Sequence, residues 1–469
     1  MMTSIAIVWL RRDLRVHDHP ALARAAREHD RVVPLFVLDQ RLLDGRFASA
    51  PRNAFLRGCL AALDGELTAR GAGLVVREGA PEDVVPELAA QLGAAEVLWA
   101  SDVSPFARGR DRQVRTLLEA AGVAATSCPG TYCADIGRPR TKTGKPYTVF
   151  TPFWKAQREL PRRAVEDAPA ALRLPDGLDR GALPDGPALG DLLTEAICAP
   201  GEPAARAALG AWIDGPVDAY GDRHDDLTGG SSALSPHLRW GTISAREVEQ
   251  RAMDRGSEGA AAFVRQLAWR DFYAHVLLLH PEVARLEFQP RFRALEWDDD
   301  PELLAAWQEG RTGYPLVDAG MRQLAATGWM HNRARMVVGS FLTKDLHLDW
   351  RAGELWFERL LLDAEPAQNA GNWQWIASTG VDPAPYFRRI FNPVLQQQKF
   401  DPDGAYVRRW VPELAEVPLA RLAEPWRMTP EEQQAAGCVI GEHYPAPIID
   451  HAHERHVAMD RYRAAAQSD

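Results

Sequence analysis

Four short apolar runs open this chain: IAIVWL (5–10), VVPLFVL (32–38), LVVRE (74–78) and EVLWA (96–100). Each is separated from the next by an Ala/Leu/Arg-rich segment of helical period. Alternation of this kind specifies a parallel, doubly wound α/β sheet with helices on its faces. Ligands of such sheets sit at the carboxyl ends of the strands, where this sequence places Arg11, Arg12, Asp39 and Asp102. Neither GxGxxG nor GxxxxGK[ST] occurs, so a dinucleotide or ATP of the usual kind has no support here. A dinucleotide, if the chain carries one, is held elsewhere.

The alternation stops near residue 130. Between Pro161 and Pro203 there are seven Pro in 43 residues, an interdomain connection, and from about 204 onward helical periods take over. We therefore read an α/β domain over 1–130, a connection over 131–203 and an all-α domain over 204–469. A chain of 469 residues is too long for one ordinary core. Helix starts are visible at Ser244-Ala-Arg-Glu247, which fits a capping box, and at Asp300-Pro301, a cap and first residue. No run of about 18 apolar residues is present. The Ile5–Leu10 run reads as a first strand, not a signal peptide, and cytoplasm is the expected location, with no membrane partner. Five Cys without a CxxC suggest neither a disulfide framework nor a zinc ribbon. The net charge of −10 weighs against a nucleic-acid coat, though not against one basic groove.

The second domain holds twelve of the fifteen Trp and three segments that mix aromatic with polar side chains. In Leu355–Val381, Asn369 and Trp373 are four apart and share a helical face, Trp375 lines another wall, and Asp363, Glu365 and Asn372 lie close by. GWMHNRARM (328–336) aligns Asn332, Arg335 and Met336, and FVRQLAWRDFY (263–273) aligns Gln266, Trp269, Arg270 and Tyr273. One such segment alone reads as a buried aromatic cluster with caps. Three together suit a pocket for a flat heteroaromatic group.

The loop Gly229–Pro236 adds an anion site. Ser235 suits the N-cap and Pro236 the first helical position, and the glycines and serines leave backbone N–H groups for a pyrophosphate, with Tyr220 and Arg223 just before. Trp297, ahead of the acidic run 298–300, is placed near the surface. HAHERH (451–456) has no Cys partner and reads as a solvated helix face, so no metal is expected. No GxSxG elbow occurs, which removes support for acyl transfer.

These pieces together resemble the DNA photolyase/cryptochrome family over nearly the whole length. The similarity rests on VWLRRDLRVHD (8–18), SSALSPHLRWG (231–241), QLAWRDFY (266–273), GRTGYPLVDAGMRQLAATGWMHNRARM (310–336), NAGNWQWIASTG (369–380) and FNPVLQQQKFDPDGAYVRRWVPEL (391–414). It implies an antenna domain joined to a helical domain that holds U-shaped FAD, active as FADH−. By position, Tyr220, Ser231, Ser232, Ala233, Leu234 and Ser235 grip the FAD phosphates and ribose. Arg270, Arg335, Asp363 and Glu365 complete the cofactor shell, with Arg335 paired to Asp363 and Asn369 opposite the flavin N5. Trp373, Trp350 and Trp297 resemble the electron relay. Trp269 and Trp375 resemble the walls around a flipped-out dimer, with Gln266, Arg270, Asn332 and Met336 beside it. Arg223, Arg333, Arg388, Arg389, Lys399 and Arg408 are available to DNA phosphates.

Within the family the chain is most similar to class I cyclobutane pyrimidine dimer photolyases, and the implied activity is light-driven dimer splitting in ultraviolet-damaged DNA. The reduced flavin lends and regains an electron, so the protein need supply only binding, orientation and a dry pocket. The alternatives are a cryptochrome photoreceptor and a (6-4) photolyase. Asn at 369 resembles the repair enzymes, Asn332 and Met336 resemble the dimer enzymes, and the sequence runs only about 55 residues past Leu414 where signalling members tend to append a long tail. Two positions depart from the pattern: Gln266 replaces a usual Glu, and YFRRIFNP (386–393) doubles an arginine. For the antenna, Ser104–Ala107 stands where folate-binding relatives look like Asn-Glu. Arg11, Arg12, Arg52 and Asp102 are closer to relatives that bind 8-hydroxy-deazaflavin than to those that bind methenyltetrahydrofolate. A monomer is expected.

Overall fold

The computed structural model describes residues 3–382 and 384–467. Five parallel strands, β1 (Ile5–Leu10), β2 (Arg31–Leu38), β3 (Val75–Glu78), β4 (Glu96–Ala100) and β5 (Ala124–Cys128), form one sheet in the order β3-β2-β1-β4-β5. The first four lie on the apolar runs of the sequence. The fifth, AATSC, has small residues and a half-exposed face at the sheet edge, so it carries no branched apolar run to announce it. In central β1, Ala6, Val8 and Leu10 enter one core and Ile7 and Trp9 the other, as a strand buried on both faces requires. The strand order reverses around β1, and Arg11, Arg12 and Asp102 leave the sheet at that switch point.

Four helices flank the sheet: α1 (Pro20–Glu28), α2 (Ala50–Thr68), α3 (Pro81–Leu92) and α4 (Pro105–Ala120). The segment 131–203 does more than span. Its helix α5 (Phe150–Arg158) packs Phe150 and Phe153 against Phe272, and its coil pairs with the sheet, Val32 N–H donating to Arg173 O at 2.9 Å and Val76 N–H to Arg180 O at 2.7 Å. The remaining elements that shape the site are helices α6 (Ser235–Trp240), α7 (Ala245–Arg255), α8 (Glu258–Leu279), α9 (Asn332–Ser340), α10 (Trp350–Leu360), α11 (Pro366–Ala377) and α12 (His451–Gln467). Two isolated bridges are the β-pairings outside the sheet among the described residues.

The two units share a core. Trp240 and Leu362 of the helical part lie in the same buried cluster as Val8, Leu10 and Leu22 of the sheet part. Buried Arg15 ties the seam, donating to Gly241 O at 2.9 Å and Gly130 O at 3.0 Å. Gly241 has φ +65°, and a β-carbon there would lie 2.1 Å from Arg12 O, so only glycine lets α6 end against residues 12–13.

Local expectations fared unevenly. Asp300 caps the helix Pro301–Gln308 through its carboxylate. Ser244 caps α7, but Glu247 does not close the capping box; its carboxylate is drawn to His17 at 3.2 Å and Arg206 at 3.0 Å. Ser235 is not the N-cap of α6. Leu234 holds that position, and the Ser235 hydroxyl is free to turn toward Asp363. Nor is HAHERH wholly a solvated face: His451 is buried against Asp345, whereas His453 lies at the surface. Burial pushes Asp345 up to about 6, and His451 is the partner that makes its interment tolerable. Among the described residues no helix is long and apolar enough to cross a membrane.

Candidate functional site

Helices α9, α10 and α11 and the loop 361–365 line an open cavity. Asn332, Arg335 and Met336 reach it from one face of α9. Phe357 comes from α10, and Gln368, Asn369, Asn372, Trp373, Trp375 and Ile376 come from α11. The α11 sequence puts residues on both sides of the cavity because Trp373 and Trp375 are two apart on a helix.

Asp363 and Glu365, in the turn before α11, form the polar floor. Oδ2 of Asp363 accepts from Arg335 Nη2 at 2.7 Å and from Ser235 Oγ at 2.6 Å, and Ser235 Oγ in turn accepts from the Trp329 indole at 3.1 Å. Glu365 pairs with Arg12 of the sheet unit at 3.1 Å. Burial alone would depress Arg12, but Glu365 and Asp102 outweigh it and hold the guanidinium above its ordinary value. Asp102 is held well below the usual carboxylate range, because Arg12 and Arg11 overcome the upward push of burial. Among the described residues, Oδ1 of Asp363 and Oε2 of Glu365 on this floor, and Nη1 of Arg239 behind it, are buried without a hydrogen-bond partner. Each such group costs about 1–3 kcal/mol unless a ligand satisfies it. Acceptors and a cation around a cavity lined by aromatics are a donor set suited to a flavin nucleotide with its hydroxyls and ring N–H groups.

Asn369 is fixed from behind. Its Nδ2 donates to Glu354 O at 3.0 Å and to Glu358 Oε2 at 3.3 Å, so the amide presents its oxygen, an acceptor, to the cavity it lines. Burial raises Glu358, and burial together with the Glu358 charge pushes Glu354 up to about 8. His331 precedes α9 and caps it, its Nδ1 accepting from Arg333 N at 3.2 Å; burial pushes the imidazole down to about 4. It is therefore neutral at physiological pH and busy as a cap, not half of an acid–base pair.

Trp373 is packed among Phe357 and Trp307, with ring centroids 5.0 and 6.2 Å away. Trp350 is fully buried one element further, and Trp297 is partly exposed, packed against the same core. Trp375 stands over Arg389, whose guanidinium carbon is 4.0 Å from the ring centroid, and its indole donates to Asp382 at 3.0 Å.

Other sequence-assigned residues lie elsewhere or are already engaged. Gln266 is exposed on α8, and Trp269 is half-buried and stacked on Phe150 at 3.8 Å; neither lines the cavity. Arg270 donates to Thr131 O at 2.8 Å and Leu238 O at 3.2 Å, so it braces the seam between the units. Tyr220 packs edge-on against Trp212 and Phe263, and burial pushes its hydroxyl up to about 12. Ser231 and Ser232 Oγ accept from Ala233 and Leu234 N–H at 3.5 and 3.4 Å, and Ala233 has φ +50°, giving the loop a tight turn.

Several arginines assigned to DNA or the antenna are committed within the protein. Arg333 is bidentate to Asp225 at 2.7–3.1 Å and lies over Phe400 at 4.2 Å. Arg408 holds the carbonyls of Asp403, Ala415 and Val417. Arg389 is buried beneath Trp375. Arg52 is buried too, donating to Glu358 O, Leu361 O and Phe47 O, and so it staples the two units. Arg388 stays exposed, exposed Arg223 pairs with Asp226 at 2.7 Å, and Lys399 lies over Phe400 at 4.9 Å. Arg11 sits over Trp9 at 4.7 Å and bonds Asp111 and Ala100 O.

Sequence reasoning missed Glu358 and Arg239, which stand behind the cavity wall and hold Asn369 and the Ala364 carbonyl in place. Arg239 stands inside the SSALSPHLRWG block, where its neighbours drew the assignment; Glu358 has no signal beyond its distance of eleven residues from Asn369, three helical turns if the chain were continuous.

Residues 6–172 match the DNA photolyase family model, and residues 263–464 match the FAD binding domain of DNA photolyase. The chain is 42% identical to the deoxyribodipyrimidine photo-lyase of Streptomyces griseus over 96% of this chain and 98% of that protein. Among solved structures it is similar to a bacterial class III photolyase from Agrobacterium tumefaciens, with TM-score 0.91, 37% identity and coverage of 100% of this chain and 99% of that one. A cryptochrome of Synechocystis sp. also superposes with TM-score 0.91, at 29% identity and coverage of 98% and 99%.

Proposed function

The chain belongs to the DNA photolyase family, and on that footing we infer that it is a deoxyribodipyrimidine photo-lyase that repairs cyclobutane pyrimidine dimers in light. The observation that carries the reading is the cavity where Arg335–Asp363, the fixed Asn369 amide, Trp373 and Trp375 converge. Bound FAD, in its reduced form, supplies on excitation the electron that splits the dimer and takes it back.

The chain's own residues bind, orient and insulate. Asp363, held by Arg335 and Ser235, keeps Oδ1 toward the cofactor, and Glu365, anchored by Arg12, keeps Oε2 there. Asn369 offers its oxygen to a ring N–H. Trp375 forms an apolar wall for an extruded dimer and Asn332 and Met336 lie at the same opening; Gln266 and Trp269, exposed and half-buried on α8, are assigned to the substrate by resemblance. A dimer leaves the duplex stack at reduced cost because its pairing is already disturbed. Phosphates beside it are met by Arg223, Arg388 and Lys399, and steering by few cations is consistent with an acidic chain. Trp373, Trp350 and Trp297 lead from the cavity toward the surface and serve as the relay that recharges the cofactor.

Finer points of the reading are these. We assign the chain to the class I dimer enzymes on Asn332 and Met336, set beside its 37% identity to a class III enzyme. We assign the antenna to the switch point of the sheet, around Arg11, Arg12 and Asp102, with 8-hydroxy-deazaflavin preferred to methenyltetrahydrofolate; Arg52, buried between the two units, falls outside that site. The protein acts as a monomer in the cytoplasm. The second reading, a cryptochrome-type photoreceptor, is supported by the superposition on the Synechocystis protein. One assay separates the two. Purified reduced protein under blue light restores thymines in ultraviolet-damaged DNA if it is a repair enzyme, and binds flavin without restoring them if it is a receptor.

A further inference from the structure

The middle tryptophan of the relay differs from the first in what touches it. Trp373 is surrounded by rings and aliphatic groups, and α10 comes so near that a β-carbon on Gly353 would lie 2.2 Å from Trp373 Cη2. Trp350 begins that same helix, three residues before Gly353, and is fully buried. Its indole Nε1–H donates to Glu287 Oε1 at 3.1 Å. Glu287 is itself buried, 4% exposed, on the loop between α8 and the segment that carries Trp297. Arg351 meets both partners: its Nη2 donates to the same Glu287 oxygen at 2.8 Å, and its guanidinium carbon lies 4.6 Å from the Trp350 ring centroid. Asp349 holds the other side of Arg351 at 3.1 Å. A buried indole thus has an anion on its N–H and a cation over its ring.

We propose that Glu287 is a positioning residue for the relay, which makes Trp350 easier to oxidise than Trp373 and so drives the first hop outward. The inference rests on the relay assigned above. When Trp373 has given up one electron to the light-excited oxidised flavin, Trp350 passes one electron to Trp373; Trp373 is restored and Trp350 is left one electron short. The positive charge that develops on the Trp350 indole is greatest near its N–H, where the hydrogen bond to the carboxylate becomes charge-assisted and shortens. The proton stays in that bond. Trp297 then gives one electron to Trp350, and a thiolate in solution, its proton already lost to solvent, gives one to Trp297; the thiyl radicals so formed pair to a disulfide, and within the protein one electron moves per hop with no bond broken. Arg351 works in the opposite sense. It restrains the carboxylate and places a positive charge against the ring, which sets how far Trp350 is favoured.

The opposed charges give the test its sign. The full-length, FAD-loaded wild type is compared with Glu287→Gln, Arg351→Met and Trp350→Phe by flash photolysis, which reads the transient tryptophan radical and the yield of reduced flavin. FAD content and melting temperature are read alongside. Glu287→Gln keeps an acceptor for the indole but removes the charge, and the yield falls about tenfold, as replacing a charge-assisted hydrogen bond by a neutral one implies. Arg351→Met removes the cation, and the yield holds or rises. A merely structural salt bridge predicts that both variants lose yield together, and that result, or a Glu287→Gln yield equal to wild type, overturns the proposal. Should Glu287→Gln fail to hold FAD, the direction of Arg351→Met decides alone. Trp350→Phe separates the two levels: photoreduction that survives it removes the relay itself, and the role of Glu287 with it.

Discussion

The Arg389 guanidinium lies 4.0 Å under the Trp375 indole, and its Nη1 donates to the Trp375 carbonyl at 2.9 Å. Asp382 closes the arrangement, accepting from the indole and pairing with Arg389 Nη2 at 2.6 Å. The doubled arginine of YFRRIFNP thereby divides into two roles, a buried brace at 389 and an exposed cation at 388. Burial lowers Arg389, and Asp382 opposes that shift, so the charge is kept.

From this arrangement, Arg389→Ala should loosen the apolar wall and weaken binding of dimer-containing DNA about tenfold, the scale of a desolvated cation–π contact together with its ion pair. Arg388→Ala should act differently. It should lower affinity for damaged and undamaged DNA alike and reduce the log–log salt slope by about 0.9, one phosphate contact. Binding isotherms over a range of salt distinguish the two; identical behaviour of the variants would show that Arg389 is also a phosphate ligand.

Trp373→Phe should retain FAD but lose photoreduction of oxidised flavin by external thiols. Phenylalanine fills the space between Phe357 and Trp307 without supplying an oxidisable indole. Its loss of photoreduction should exceed any loss of repair by chemically reduced enzyme by at least about tenfold, a separation of some 1.4 kcal/mol in barrier. Equal losses in the two assays would mean that Trp373 serves packing.

How much of this was readable from the chain varies with the physics involved. Strands buried on both faces announce themselves as apolar runs, so β1 to β4 were legible and the small-residue edge strand β5 was not. Helical spacing was enough to bring Asn332, Arg335 and Met336 to one cavity wall and Asn369, Trp373 and Trp375 to another, because i, i+3 and i+4 neighbours share a face. What spacing cannot reveal is how a long side chain ends. Arg12 and Arg52 read as antenna ligands, Arg270 as a ligand of cofactor and substrate, and Arg333 and Arg408 as cations for phosphates, yet the first four find carbonyls or carboxylates from segments distant in sequence and Arg408 holds three carbonyls of its own neighbourhood. Ser235 shows the same limit on a small scale, since its hydroxyl prefers a carboxylate far along the chain to the cap position that local sequence gives it.

Stability should depend on Asp271. This carboxyl is fully buried on α8 and accepts from Cys133 N at 3.1 Å and Gln157 Nε2 at 2.6 Å, which ties the connection to the helical unit. Burial pushes it from an ordinary 3.8 up to about 7, against the opposing pull of Arg270. Between pH 4 and 7 the folded protein therefore keeps a proton that the unfolded chain has lost. Stability then falls as pH rises through that window, by at most about 1.4 kcal/mol per pH unit from this group, and levels off above it. Asp271→Asn keeps an acceptor that cannot ionise, and its melting temperature should lack this component. Superimposable pH profiles for wild type and Asp271→Asn would show that the carboxyl is ionised throughout.

Gln266 tests the chemistry at the substrate. It lies exposed on α8, two residues before the Ala268–Trp269 pair that packs on α5, and the family resemblance implies Glu at this position in dimer enzymes. A protonated Glu can donate a hydrogen bond to a pyrimidine carbonyl as negative charge arrives on it. Glutamine has a permanent N–H donor and cannot shift a proton, so it offers the same contact without titrating. The contact is worth about 1–3 kcal/mol once a bound dimer excludes water from it. Repair yield per absorbed photon should then show no carboxylic-acid titration from this residue. Gln266→Glu should hold or raise the yield below the carboxyl's titration, and Gln266→Leu should lower it about tenfold by leaving the carbonyl unpaired. The comparison is made on cyclobutane and (6-4) lesions in parallel. Wild-type activity confined to the (6-4) lesion would show that Gln266, and not the Asn332–Met336 face, determines the substrate.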